Sequence, residues 1–397
     1  IHIYTAASLL IGISMTYARE DFMQADKCGT LHLYTRCIRR CFLLGHDEES
    51  GKDYSGRKEW IPLRLAALRK TFLIDILAYA VMPNRYHIIL NNRPDLVKNL
   101  STKEVISRWL LLHPTVAMKD EKREKPTSTE IDKFIEDFDI NEIRLRLSDI
   151  RWFMRELNQY IAVKANREEG LTGAFFDGRF KSQYLADDNA LLTCMIYIDL
   201  NPVRAKIANS IEDSIYTSGY DRMNAHTAQK NLDAIAETKY KNEDSLTYHQ
   251  KKEIKIEKKN IKRASWLSPF ATSNESTKKT KEKTNTKPDL LKTTTPEPLP
   301  FLSITVEKYL ELLDITGREF HNKKPGVIAD KFAPILDAMG FQHENWMLKI
   351  RNYGSWYYRV IGPLAKLTDK LISTGQHWFK GVKAWENPKP EPELAPA

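Results

Sequence analysis

The stretch FLIDILAYAVMPNRYHIILNN, residues 72–92, decides how this chain folds. Leu73 to Val81 is an almost unbroken apolar run of strand length, the pattern of a central strand covered on both faces. Met82, Pro83 and Asn84 interrupt it with turn chemistry, and Arg85 to Leu90 resumes as a second strand, so the two halves form a hairpin. Alternation sends Arg85, His87 and Ile89 to one face and Tyr86, Ile88 and Leu90 to the other. A histidine beside an arginine is thereby presented from the middle of a sheet.

Working upstream, LHLYTRC (residues 31–37) reads as another strand, and it runs into the basic cluster Arg36, Arg39 and Arg40, which either holds phosphate or is solvated. The spacing of Cys28, His32, Cys37 and Cys41 suggests zinc, but a strand turns positions 32 and 37 to opposite faces, and small buried cysteines account for it better. Trp60, Leu63, Leu65, Ala67 and Leu68 recur near helical spacing before the hairpin. Strand, helix and hairpin make the first half of a split βαβ, ferredoxin-like unit with an antiparallel sheet, an α+β class.

Downstream, Ser101 with Glu104 three residues on caps a helix over 101–113, and the charged, loosely patterned Met118 to Asn141 reads as an insertion. Leu147, Ile150, Met154, Leu157 and Ile161 define an amphipathic helix over 148–168, stopped by Gly170. Its other face carries Arg144, Arg146, Arg151, Arg155 and Lys164, either solvated or facing DNA. Phe180 to Leu185 reads as a strand, and Asp187 caps a helix expected to end near Asn201, because Pro202 follows. On that helix Tyr197 and Asn201, four apart, share a side, with Tyr197 about 120° from the apolar stripe of Leu191, Met195 and Ile198.

Two of these stretches, YAVMPNRYHIILNN (79–92) and GAFFDGRFKSQYLADDNALLTCMIYIDLNPVRAKIA (173–208), resemble the motifs of the single-tyrosine transposases, above all the REP-associated tyrosine transposases. The resemblance extends over roughly Leu31 to Arg222. It implies Tyr197 as the nucleophile and His87 and Asn201 as ligands of a divalent metal, magnesium or manganese. Arg85 stands where the family has the first of its two histidines. A guanidinium has no lone pair to give a metal and is permanently cationic. Either catalysis is lost, then, or Arg85 contacts the phosphate directly.

The partner the resemblance implies is single-stranded or hairpin DNA, contacted by Arg36, Arg39, Arg40, Arg179, Lys181 and Arg204, with a homodimer among the assemblies it allows. The activity implied is DNA transposition, cleaving and rejoining DNA through a covalent phosphotyrosine. The alternative is a catalytically silent hairpin-DNA-binding protein of the same descent.

The 397 residues exceed one ordinary domain, and 42% hydrophobic with 28% charged residues is a soluble globular composition without a run of about 18 apolar residues to span a membrane. Four scattered cysteines fit a reducing cytoplasm, where the protein would associate with the nucleoid. Residues 1–25 read as an upstream or disordered lead-in, with Met15 the natural start, and 26–225 as the catalytic and DNA-binding domain. Residues 251–292 hold 13 Lys and Arg against 5 Asp and Glu, a net of +8 out of +9 for the chain, so 226–300 reads as a flexible basic linker able to hold any polyanion. A small all-α domain is expected over 301–385, with helical faces such as Val306, Tyr309, Leu310 and Leu313, or Ile328, Phe332, Ile335, Leu336 and Met339, and a disordered tail over 386–397.

Overall fold

The computed structural model describes residues 27–237, 247–271, 300–320, 334, 336–337, 345–357, 359–367 and 382–386. The expected lead-in, the linker between 272 and 299, the face from Ile328 to Met339 apart from Leu336, and the tail from 387 lie outside them.

β1 (Gly29–Arg36) leads through a short ribbon, β2 (His46–Asp47) and β3 (Lys52–Asp53), into α1 (Trp60–Thr71) and then the hairpin β4 (Ile74–Met82) and β5 (Arg85–Asn92). The insertion is helical: α2 (Pro94–Val97), α3 (Thr102–Leu112), α4 (Val116–Asp120), α5 (Ser128–Asp137) and α6 (Ile140–Arg146). Caps start these helices, the Ser101–Glu104 capping box on α3 and a Thr127–Glu130 box on α5, and they close a small core around Trp109 and Phe134. α7 (Ile150–Glu169) ends at Gly170, whose φ of 64° is the left-handed value that favours glycine. β6 (Lys181–Leu185) and α8 (Asp188–Asp199) follow, the latter capped by Asp187 as expected.

The main sheet runs β4-β5-β1-β6, all antiparallel, with a fifth strand beyond β6. Its face of Leu31, Leu33, Tyr86, Ile88 and Leu90 is buried against α1 and α7, and the other, with Ala78, Ala80 and Ile89, against α8. β4 is not central: it is the edge strand, yet all nine of its residues are buried. Irregular chain covers the edge, Val81 N–H donating to Tyr216 O (2.9 Å), Tyr79 N–H to Ser218 Oγ (3.1 Å) and Ser268 N–H to Ile76 O (2.9 Å). An edge so capped buries both faces and needs the same apolar run as an interior strand.

Two further corrections concern the second half of the chain. α10 (Ser218–Glu237) and α11 (Tyr248–Ala264) follow α9 (Asn201–Arg204), so α11 stands inside the stretch expected as a flexible linker. A Thr247–Gln250 capping box starts α11, whose cations face solvent, and Arg263 reaches back to Asp221 (3.1 Å). Beyond it Leu267 and Phe270 enter the core.

The C-terminal region is likewise not a separate all-α unit. α12 (Val306–Glu319), α13 (Trp346–Arg351), α14 (Tyr353–Trp356) and α15 (Val382–Glu386) share one core with α8, and β7 (Val360–Ile361) extends the sheet, parallel to β6. The buried Asp199 of α8 ties this together, accepting from Ser218 Oγ (2.6 Å) and Tyr309 Oη (2.5 Å). Among the described residues no helix is long and apolar enough to cross a membrane.

Gly219 marks how closely α8, α10 and α12 meet. A Cβ there would lie 2.7 Å from Leu313 Cδ2 and 3.1 Å from the Asp199 carboxyl. Gly219→Ala is expected to destabilise by about 1–3 kcal/mol through overpacking, read as a lower urea midpoint. An unchanged midpoint would mean that the three helices part easily.

Candidate functional site

One face and one end of the sheet gather the chemistry. Period-2 geometry puts His32, Tyr34 and Arg36 of β1, Arg85 and His87 of β5, and Lys181 and Gln183 of β6 on the face toward α8. The register sets them side by side: Arg36 opposite Arg85, Tyr34 between His87 and Lys181, and His32 opposite Gln183. Arg39 and Arg40 lie just beyond the end of β1, both exposed and with positive φ (51° and 61°), and Arg179 lies just before β6. Five of the six expected DNA-contacting cations, all but Arg204, therefore stand at that end of the sheet.

α8 and the turn after it supply the other wall. Tyr197 is half-buried, with its ring 6.2 Å from that of His87 and 6.5 Å from that of His32, edge-on to both. Arg204 lies over the Tyr197 ring at 4.4 Å and is weakly bonded to Asn201 Oδ1 (3.5 Å). Asn201 is buried but does not share a continuous helix with Tyr197. α8 ends at Asp199 and Leu200 leaves helical geometry, so Asn201 opens α9 with Pro202 in its first turn. Tyr353 of α14 stacks on Tyr197 (4.2 Å, 24°), and a Cβ on Gly354 would lie 3.3 Å from the Tyr197 hydroxyl.

His32, set aside by the sequence as a zinc ligand, sits at the centre of the site. Its Nε2 is 2.9 Å from His87 Nδ1 and its Nδ1 is 2.6 Å from Gln183 Oε1, while Gln183 Nε2 donates to Tyr357 O (3.1 Å). Burial pushes His32 down to about 4. His87 is driven well below its ordinary value by burial, then by His32 and by the charges of Arg85, Arg36 and Arg204. Both rings are neutral at physiological pH.

Several buried polar atoms here have no protein partner: Arg85 Nε and Asn201 Nδ2, which donate, and His87 Nε2. Native proteins leave few such groups unless they serve a ligand. A divalent cation does not fit them. Its ligands must offer lone pairs: the guanidinium and the Asn201 NH₂ have none to give, His87 Nε2 offers at most one, and the Asn201 carbonyl oxygen faces the cationic Arg204 (3.5 Å). Arg36, Arg85 and Arg204 add three positive charges around that nitrogen. Among the described residues, no three His, Cys, Asp or Glu side chains converge as a metal site. The same donors and charges do suit a phosphate, whose oxygens only accept.

No protein-family model matches the chain, and no curated protein is significantly similar to it. Among solved structures, one titled "Structure of the REP associates tyrosine transposase bound to a REP hairpin" is similar at 14% identity and a TM-score of 0.28, over 48% of this chain and 76% of that one. A likeness at that level carries no functional weight, and the chemistry rests on the geometry above.

Proposed function

We propose that this is a transposase-like DNA-binding protein in which Tyr197 attacks a DNA phosphodiester while guanidinium groups hold the phosphate. On this reading the four antiparallel strands with α1 and α7 are a ferredoxin-like split βαβ unit, and the cationic end of the sheet receives single-stranded or hairpin DNA. The observation that carries the reading is the set of unpartnered buried groups beside a half-buried tyrosine, Arg85 Nε, Asn201 Nδ2 and a ring nitrogen of His87, with Arg36 and Arg204 adding charge. Arg85 and Asn201 Nδ2 donate to the non-bridging oxygens, and Arg36 and Arg204 offset charge that grows in the transition state. The bond from Tyr197 Oη to phosphorus forms as the bond to the 3′ oxygen breaks. The hydroxyl proton passes to solvent, from which the leaving oxygen takes one, giving a 5′-phosphotyrosine and a free 3′-OH.

The test is a labelled hairpin DNA incubated with the protein in chelator and resolved under denaturing conditions. A covalent adduct is expected from the wild type and none from Tyr197→Phe, which keeps the ring and removes the nucleophile. The packing of Gly354 against the Tyr197 hydroxyl favours a second reading, a silent hairpin-DNA-binding protein. DNA binding without any adduct, with or without manganese, would select it.

Binding is expected to weaken steeply with salt. Each phosphate-contacting cation contributes about 0.7 to 0.9 to the slope of log affinity against log salt, so Arg39→Ala with Arg40→Ala should lower the slope by about 1.4 to 1.8. A slope unchanged in the double variant would remove that end of the sheet from the DNA path.

A further inference from the structure

We infer that Gln183 and His32 are positioning residues that fix His87 in the tautomer protonated at Nδ1, leaving its Nε2 a bare acceptor for the Tyr197 hydroxyl. The argument follows hydrogen-bond polarity along the chain of contacts. Tyr357 O can only accept, so the Gln183 amide must turn its NH₂ toward it (3.1 Å) and its oxygen toward His32. That oxygen, 2.6 Å from His32 Nδ1, requires the proton of His32 to sit on Nδ1. His32 Nε2 is then a lone pair, and it accepts from His87 Nδ1 at 2.9 Å, which places the proton of His87 on Nδ1. What remains is His87 Nε2, buried, unprotonated and without a protein partner.

The direction of this chain is set by a backbone carbonyl that cannot be reversed, burial disfavours a charge on either ring, and at His87 three neighbouring guanidiniums add to it, so a single arrangement survives. The charges acting on His87 are those of Arg85, Arg36 and Arg204, which only donate, and besides His32 the rings that meet it among the described residues are Tyr34 and Tyr197. Tyr34 is stacked on the imidazole (5.6 Å, 28°). Tyr197 meets the His87 ring at 85° with centroids 6.2 Å apart, and a change in its χ1 angle is the motion that would bring its O–H to Nε2. A hydrogen bond accepted there turns an oxygen lone pair of Tyr197 toward an incoming phosphorus. Only the use of Nε2 rests on the reading of Tyr197 as nucleophile. The tautomer itself does not.

Histidine-selective ¹⁵N labelling with two-bond proton–nitrogen correlation near pH 7.5 reads the tautomer, the rings being assigned with His32→Gln and His87→Gln. Wild-type His87 is expected to show a protonated Nδ1 and an unprotonated Nε2. The reverse pattern, an averaged one or a cationic ring overturns the inference without need of any variant. In Gln183→Leu, folded by its amide spectrum, His32 and His87 should lose the fixed pattern, and adduct formation should slow by about tenfold or more while hairpin binding is kept. An unchanged His87 pattern in Gln183→Leu overturns the positioning role. A lost pattern with an unchanged adduct rate overturns the use of Nε2 by Tyr197. If the wild type makes no adduct at all, the proposed function fails and the tautomer result still stands or falls by the spectrum.

Discussion

Arg85→Gln is expected to slow adduct formation by about 10²–10³-fold, the usual cost of removing one preorganised donor from a phosphoryl or oxyanion site. Glutamine retains hydrogen-bonding capacity but loses the charge and the forked geometry, and the Nε donor of Arg85 is now unpartnered, buried two residues from His87 on the same strand face. Arg85→Lys, which keeps the charge alone, should fall between. Arg85→His is the sharper probe. It places a second imidazole on that face and takes away one of the guanidiniums, so a divalent cation that the native pocket repels gains a lone pair and loses an opposing charge. Manganese binding should appear in that variant by calorimetry, with adduct formation now abolished by chelator. Wild-type cleavage that already requires manganese would sink the view that Arg85 takes the place of a metal.

Acid should unfold this protein through its buried histidines. A ring held near 4 in the fold and near 6.5 in the unfolded chain takes up its proton more readily when unfolded. Its contribution is therefore complete above about pH 6.5 and is lost as the pH falls through about 4, on the order of 3 kcal/mol for His32, with His87 acting in the same direction. Denaturant titrations at stepped pH should show stability falling across that window, and the His32→Gln, His87→Gln double variant should flatten the fall. Identical slopes in the two proteins would mean that carboxylates alone govern the acid limb.

The hairpin was legible because an apolar run, a proline turn and a resumed strand are local signals, and so was the helix bearing Tyr197, announced by Asp187 and stopped by Pro202. The partner of His87 was not. His32 precedes it by 55 residues and Gln183 follows His32 by 151, and only the pairing register makes them neighbours. A slip of one residue would have turned either away. Asn201 was found but misplaced, because a proline that ends one helix can open the next. α11 was hidden by its own charge: none of its residues is fully buried, its apolar stripe is thin, and its clearest signal was the capping pair Thr247 and Gln250. β7, two residues long, has no period to detect, and its place is set by pairing with Tyr184 and Leu185.

That pairing has a consequence for how the protein is made. Gln183 reaches its hydrogen-bond partner, the carbonyl of Tyr357, only after a further 174 residues have been added. At about 5–20 residues per second, a ribosome takes roughly 9–35 s to supply them. During that interval α8 presents to the cell an apolar surface that Tyr309, Leu313, Trp346 and Ile350 will later cover, and the outer side of β6 is an open strand edge. Nascent chains stalled between residues 200 and 345 should therefore bind holdase chaperones more strongly than the released protein does, and chains truncated before β7 should aggregate. α12, α13, α14 and β7 act as the closing step of folding for a pocket whose first four strands were laid down in the first two hundred residues.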